Sequence, residues 1–128
     1  MVRESRGEAH PLPGVERRAT MATPRSEPVL QELAAYFRLL AEPARLSILD
    51  LLAGGELSVL EIVAETGLGQ SHTSRQLGRM ASEGLLTRRK EGTRVYYALA
   101  DPRLPDLLSA AERALKAHLR GRLGGLGG

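Results

Sequence analysis

No cysteine occurs among the 128 residues of this sequence. Its absence excludes disulfide bonds, thiolate metal sites and a cysteine nucleophile, and it is typical of a reducing compartment. No apolar run reaches the roughly 18 residues that a membrane-spanning helix needs. The N-terminus also lacks the apolar segment of a signal peptide, so we expect a cytoplasmic protein without a membrane partner.

Residue patterns that carry catalysis are missing too. No serine is paired with a histidine, no glycine-rich loop is arranged to bind phosphate, and no cluster has the spacing of metal ligands. The three histidines, His10, His72 and His118, are far apart in the sequence. The sequence therefore predicts that the protein is not an enzyme and holds no cofactor or metal. A zinc site that pairs His118 with a carboxylate across a dimer interface remains open as an alternative.

Net charge is small, only +3, but the charges are unevenly distributed. Residues 27–68 carry two basic and seven acidic side chains, whereas residues 69–97 carry six basic and two acidic ones. This segregation creates a local positive potential that indicates nucleic acid as the partner. A membrane surface is the rival, but it requires large apolar groups opposite the basic face of a helix, which the sequence lacks.

The length predicts one domain between two tails. Residues 1–26 combine prolines and charges with scattered apolar residues, so we expect a disordered tail, with Met21 as an alternative start. The folded domain is expected at residues 27–120, followed by a flexible glycine-rich tail at residues 121–128. A DNA-contacting arm is the functional alternative for the first tail, through Arg17, Arg18 and Arg25.

Capping signals mark three helices in the first half of the domain. Ser26 is a good N-cap for a first helix that carries one buried stripe, formed by Val29, Leu33, Phe37 and Leu40. Pro43 opens a second helix that stops at the glycine pair 54–55. Ser58 and Glu61 form a capping box that starts a short third helix, which Gly67 closes.

A fourth helix follows directly, from Gln70 to the glycine at position 84. Two short helices joined by a tight glycine-containing turn have the spacing of a helix-turn-helix. With Thr73, Leu77 and Met80 on the inner face, the opposite face holds no aliphatic side chain and no carboxylate. Such a face is typical of close approach to a polyanion, with a solvated face and an incidental glycine as the alternative. Its members are Ser71, His72, Ser74, Arg75, Gly78, Arg79 and Ser82.

Two β-prone runs, residues 85–90 and 93–99, flank Glu91-Gly92 and predict a half-buried hairpin, called the wing below. Cations at a hairpin edge discourage aggregation, but beside a basic helix they favour contact with phosphates or a minor groove. These cations are Arg88, Arg89, Lys90 and Arg94.

A last helix is expected to begin at Asp101-Pro102, or later because of Pro105. Its apolar stripe is wider than a monomer of this size needs, so we infer a dimer face formed together with the first helix. The stripe consists of Leu104, Leu107, Leu108, Ala111, Leu115, His118 and Leu119.

With these elements in place, residues 28–119 resemble the ArsR/SmtB family of winged-helix bacterial repressors. The resemblance implies a mainly α fold with a small β-hairpin, a winged helix-turn-helix of four helices, two strands and a fifth helix. It also implies a homodimer that binds a near-palindromic operator on double-stranded DNA and is released by an inducer. The matching segments are residues 40–49 (LAEPARLSIL), 56–61 (ELSVLE), 69–77 (GQSHTSRQL), 83–86 (EGLL) and 91–99 (EGTRVYYAL).

The sensor residues of that family do not transfer to this sequence. Members of the thiol type carry cysteines in the third helix, where this chain has Ser58 and Leu60, which cannot hold a soft metal. For members that bind zinc on the last helix, Asp101 matches one ligand position, but one carboxylate is not a site. The remaining ligand positions hold Arg103, Ala114 and Ala117. The effector is therefore unknown and is not a thiol-bound metal.

The sequence thus predicts a sequence-specific DNA-binding transcriptional regulator that acts as a dimeric repressor. A winged-helix module for protein interaction or dimerisation, without DNA binding, is the alternative function. Base or adjacent phosphate contacts are expected from Gln70, Ser71, His72, Ser74 and Arg75. Phosphate contacts are expected from Arg79, Arg88, Arg89, Lys90 and Arg94.

Overall fold

Five helices and three short strands follow one another in the part of the chain that the structure, a computed structural model, describes: residues 23–127. The predicted arm residues Arg17 and Arg18, and His10, lie outside this range. The described chain divides into two units, one that ends at residue 39 and holds most of α1, and one that begins at residue 40 and holds the other elements. The elements are α1 (Glu27–Leu40), α2 (Pro43–Leu52), β1 (Leu57–Ser58), α3 (Val59–Thr66), α4 (Gln70–Ser82), β2 (Leu86–Glu91), β3 (Arg94–Leu99) and α5 (Leu104–Gly127).

Helix α1 begins where the capping signal predicts, since the Val29 amide donates to the Ser26 hydroxyl at 3.4 Å. The predicted buried stripe is wrong for most of its length. Val29 and Phe37 remain 47% and 51% exposed, and only Leu40 is buried. Helical spacing determines which face is apolar, but it does not determine what covers that face.

The core of the second unit joins α2, α3, α4 and the sheet. Its fully buried apolar side chains are Ile48, Leu49, Leu52, Ile62, Leu77 and Met80. The predicted capping box of α3 is confirmed: the Glu61 amide donates to the Ser58 hydroxyl, and the Ser58 amide donates to the Glu61 carboxylate. Hydrogen bonds from the Ser58 backbone amide and the Ser58 side chain hold the pKa of Glu61 below its ordinary value, since they favour the charged carboxylate.

The wing is the outer part of a three-stranded antiparallel sheet with the order β1-β3-β2. The hairpin is confirmed, but its turn lies at residues 92–93, one position later than predicted, with Gly92 at φ +62°. Strand β1 was not predicted, because two residues are too few to show an alternating pattern. It pairs Leu57 with Tyr97 and thereby ties the start of α3 to the wing.

Helix α5 begins at Leu104, so Pro105 falls in its first turn, where its missing N–H costs nothing. Helix α5 continues through Gly127, so it includes most of residues 121–128, which the sequence analysis assigned to a flexible tail. Extending an existing helix needs no new nucleus, which offsets part of the low helix propensity of glycine. None of the described helices combines the length and the apolar content that crossing a bilayer requires.

Candidate nucleic-acid interface

A tight turn sets α4 at an angle to α3. Gly67 ends α3 in the left-handed conformation, with φ +74°. The Thr66 hydroxyl donates to the Ile62 carbonyl at 2.8 Å and accepts from the Leu68 amide at 3.3 Å, which holds the turn closed. Gly69 then precedes the first residue of α4 with an extended backbone. The predicted helix-turn-helix is therefore formed by α3, the turn at residues 67–69, and α4.

The two faces of α4 are those that the periodicity predicts. Thr73, Leu77 and Met80 are fully buried. Within residues 23–127, neither Arg75 nor Arg79 forms an ion pair with a carboxylate. All side chains of the predicted face, and the predicted contact residue Gln70, are exposed. They are Gln70, Ser71, His72, Ser74, Arg75, Arg79 and Ser82. Both guanidinium groups of α4 are thus open to an external anion.

Gln76 was not singled out from the sequence, and it lies on the buried face with only 8% of its surface exposed. Its position three residues after Thr73 was the available signal, since residues three apart share a helix face. No described residue hydrogen-bonds to the Gln76 Oε1 atom or the Thr73 hydroxyl. The buried side of α4 therefore carries two polar groups, whereas its exposed side carries the charge.

The strand register divides the four wing cations between two faces. In an antiparallel pair, side chains directly opposite each other lie on the same face of the sheet. Arg88 pairs with Tyr97 and Lys90 with Val95, whereas Arg89 pairs with Tyr96. Arg94, paired with Glu91, lies on the Arg89 face. The sequence analysis placed all four in one cluster, because the face of Arg94 relative to the β2 cations depends on the strand register.

Arg89 is paired with two carboxylates of the protein, although 49% of its side chain is exposed. Its Nε and Nη2 atoms donate to the two Glu56 carboxylate oxygens at 3.0 and 2.8 Å, and Nη1 donates to Glu91 at 2.7 Å. The guanidinium carbon also lies 4.5 Å from the centroid of the Tyr96 ring. The hydrogen bonds from Arg89 lower the pKa of Glu56, and those to Glu56 and Glu91 raise the pKa of Arg89. A bidentate carboxylate pair of this kind is among the stronger charged contacts in proteins.

The other three wing cations, Arg88, Lys90 and Arg94, are exposed. In the described part of the chain they form no ion pair. A groove of about 440 Å³ separates the wing from the N-terminus of α4, and it is lined by Arg94, Gln70 and the 60% exposed Leu60, among others. The structure therefore brings one predicted helix contact, Gln70, and one predicted wing contact, Arg94, to the same groove.

Potential metal ligands remain apart in the described part of the chain, where no three His, Cys, Asp or Glu side chains come together. Asp101, the residue at a family zinc position, accepts hydrogen bonds from the Arg103 amide at 2.9 Å and from its guanidinium at 2.8 Å. Those bonds lower the pKa of Asp101 to about 2. Its carboxylate is thus occupied by the neighbouring arginine, and His118 is exposed on α5.

Comparison with known sequences identifies relatives of the whole winged-helix region. Residues 42–88 match the model of the family described as bacterial regulatory protein, arsR family. The HTH-type transcriptional regulator Rv0081 of Mycobacterium tuberculosis is 36% identical over 99 residues, which cover 77% of this chain and 87% of the relative. The biofilm growth-associated repressor of Agrobacterium fabrum is 36% identical over 100 residues, which cover 78% of this chain and 76% of that repressor.

Solved structures show the same architecture. The crystal structure of Rv0081 superposes with a TM-score of 0.67 at 36% identity, covering 77% of this chain and 99% of that one. A second solved structure is a homodimeric winged helix-turn-helix DNA-binding domain from Mycobacterium bovis, a possible ArsR-family regulator. It superposes with a TM-score of 0.62 at 35% identity, covering 77% of this chain and 94% of that one. The predicted winged helix-turn-helix fold is confirmed by this likeness.

Proposed function

This chain belongs to the ArsR family of bacterial regulatory proteins, a family of DNA-binding transcriptional regulators, and we propose that it acts as a dimeric repressor at a near-palindromic operator. The observation that carries the proposal is the exposed face of α4, which presents two arginines without a carboxylate partner in the described chain. Relatives include named repressors, such as the biofilm growth-associated repressor, which supports repression as the mode of regulation. A regulator of this kind acts in the cytoplasm, where bacterial DNA lies.

In the proposed complex, α4 enters a major groove with its exposed face toward the bases. Arginine can pair bidentately with guanine and glutamine with adenine, and each good pair contributes roughly 1–3 kcal/mol of discrimination. Base or adjacent phosphate contacts are assigned to Gln70, Ser71, His72, Ser74 and Arg75. Specificity for the operator depends on these side chains.

The wing and the end of α4 supply the contacts that do not depend on sequence. Arg79, Arg88, Lys90 and Arg94 are exposed cations, which attract phosphates and release counterions when they bind. Arg89 lies in the same hairpin, but its hydrogen bonds to Glu56 and Glu91 favour a role in holding the wing in place. We therefore assign phosphate binding chiefly to the other four cations.

The proposed dimer joins the first and last helices of two copies. Helix α1 exposes Val29, Leu30 and Phe37, and α5 exposes Leu115 and Leu119, and apolar faces of this kind are typical of subunit interfaces. The homodimeric relative from Mycobacterium bovis supports a homodimer as the form of assembly. Twofold symmetry would then set the two half-sites one helical turn apart, or a multiple of it.

The effector that releases the repressor remains to be identified. Since the chain has no cysteine, a soft metal bound by thiolates is not the effector. The proposal therefore favours an organic molecule or another signal that does not react with a thiol.

The experiment that tests this function selects duplexes from a random pool with the purified protein and measures their affinity at several salt concentrations. The wild-type protein should bind the selected duplex more tightly than random DNA, and both affinities should fall as salt rises. A protein-interaction module would instead ignore DNA even in dilute buffer.

Two variants separate the assigned roles. Arg75→Ala should lower affinity for the selected duplex by about tenfold or more while leaving random DNA less affected, since one base contact is lost. Arg94→Ala should lower both affinities. It should also reduce the salt slope, which is the slope of log affinity against log salt concentration, by about one. Equal losses on both kinds of DNA for both variants would contradict the assignment.

A further inference from the structure

Arg45, in the first turn of α2, is a buried charge. Only 5% of its surface is exposed, and its Nη1 atom lies 2.7 Å from the Glu83 Oε1 atom. Its Nε atom lies 3.1 Å from the Glu42 Oε1 atom. Burying an arginine is costly unless its charge is compensated. The two carboxylates provide that compensation, and Glu83 is separated from Arg45 by 38 positions in the sequence.

Both members of the Arg45–Glu83 pair stand at the unfavourable end of their own helix. The N-terminus of a helix carries partial positive charge and the C-terminus partial negative charge. Arg45 lies in the first turn of α2, and Glu83 is the residue that follows α4. Local helix electrostatics therefore disfavours both residues, so the contact between them must come from the tertiary arrangement.

The end of α4 does not need the Glu83 side chain. Gly84, with φ +85°, donates from its amide to the Ala81 carbonyl at 3.1 Å, and the Leu85 amide donates to Met80 at 2.9 Å. These backbone hydrogen bonds already satisfy the terminal carbonyls of the helix. The ionised Glu83 carboxylate can only accept hydrogen bonds, so it cannot cap those carbonyls, and it accepts from Arg45 instead.

We propose that Arg45 is a positioning residue that fixes the C-terminal end of α4 to α2 and so orients the DNA-contacting face. Helix α2 is anchored in the core by Ile48, Leu49 and Leu52. Because α4 is a rigid rod, fixing its end at Glu83 also fixes Arg75, roughly 12 Å further along the axis at 1.5 Å per residue. The inference rests on the proposed DNA-binding function of α4.

The chain offers a matched pair of variants for the test. Glu83→Ala removes the carboxylate that follows α4, whereas Glu42→Ala removes the other partner of Arg45, which is exposed and makes no capping hydrogen bond in α2. Both variants raise the net charge equally, and each removes one of the two carboxylates described above. They differ in whether the link between α2 and α4 is lost.

The first readout is the ratio of affinities for the duplex selected by the wild-type protein and for a random duplex. We expect Glu83→Ala to lower this ratio by about tenfold, as the loss of one well-placed base contact would, and Glu42→Ala to leave it nearly unchanged. Glu83→Gln, which retains an acceptor oxygen, should restore part of the ratio. Equal ratios in Glu83→Ala and Glu42→Ala would overturn the proposal.

The second readout needs no DNA. Amide hydrogen exchange of residues 79–82 should become faster in Glu83→Ala than in Glu42→Ala, because the end of α4 is released from α2. Unchanged exchange would refute the positioning role even if the wild-type protein bound no duplex. Failure of the wild-type protein to bind any duplex, with faster exchange in Glu83→Ala, would overturn the DNA-binding function alone.

Discussion

Arg88 and Arg89 are neighbours in the sequence, but their surroundings give them different roles. Arg88 is exposed and has no ion-pair partner among the described residues, whereas Arg89 uses three nitrogen atoms on Glu56 and Glu91. Arg89 on β2 also lies over Tyr96 on β3 and reaches Glu56 just before β1. The charge of Arg89 is therefore balanced within the protein, and the charge of Arg88 is available to an external phosphate.

We predict that Arg88→Gln reduces the salt slope of DNA binding by about one, because one phosphate contact is lost. The double variant Arg89→Gln/Glu56→Gln keeps the net charge and should leave the salt slope close to that of the wild-type protein. The measurement is the affinity for a random duplex over a series of salt concentrations. A double variant that loses as much slope as Arg88→Gln would show that Arg89 binds phosphate.

The titration of Glu56 gives an independent check of the same contact. Because hydrogen bonds from Arg89 lower its pKa, the ion pair is complete above the ordinary value of 4.5 and is lost as pH falls through the lowered pKa. In Arg89→Gln the pKa of Glu56, followed by NMR, should rise toward its ordinary value.

Gly78 is the unusual residue of the element that carries the proposed function. A glycine in a helix interior costs about 1 kcal/mol relative to alanine. A Cβ atom added at position 78 would meet no other atom within 4 Å. Nothing in the described fold therefore requires a glycine here, and a close approach to DNA is our prediction for its role.

For α4 as an element we predict that Gly78→Ala raises the thermal midpoint of unfolding by about 4–8 °C. The same variant should weaken binding to the selected duplex by about tenfold, because the added methyl group meets the DNA. Ser82→Ala, at the end of the same exposed face, is the control and should change binding little. A more stable Gly78→Ala protein with unchanged affinity would make the glycine incidental.

Assembly belongs to the scale of the whole molecule. Every described side chain of α5 from Ala111 onward is exposed, and the apolar ones include Leu115, Leu119 and Leu123. A helix with this composition is typical of a surface that another subunit covers. Two linked copies would bind two half-sites at once, which raises the affinity for a palindromic operator far above that of one copy.

Leu115 on α5 is 52% exposed in one chain. We accordingly predict that Leu115→Glu converts the proposed dimer into a monomer that remains folded. Sedimentation equilibrium measures the assembly, and circular dichroism measures the fold. Leu60→Glu introduces the same charge at a similarly exposed leucine of α3 and should remain dimeric. A Leu115→Glu protein that stays dimeric would place the subunit interface elsewhere.

The sequence by itself determined the order of the helices, the wing and the exposed face of α4. These features follow from periodicity, caps and turns, which operate over a few neighbouring residues. Ser58 with Glu61, and Thr73 with Leu77, act within one helical turn, so their spacing in the sequence is already their spacing in space.

Only the tertiary structure decided which charges are free and which are engaged. Arg89 meets Glu56 across 33 positions, and Arg45 meets Glu83 across 38. Strand β1 likewise exists only because β3 pairs with it. Such contacts depend on how whole elements are brought together, and no local pattern specifies that arrangement. The exposed face of α4 could therefore be read from the sequence of one helix, whereas the contact between Arg45 and Glu83 emerged only from the fold.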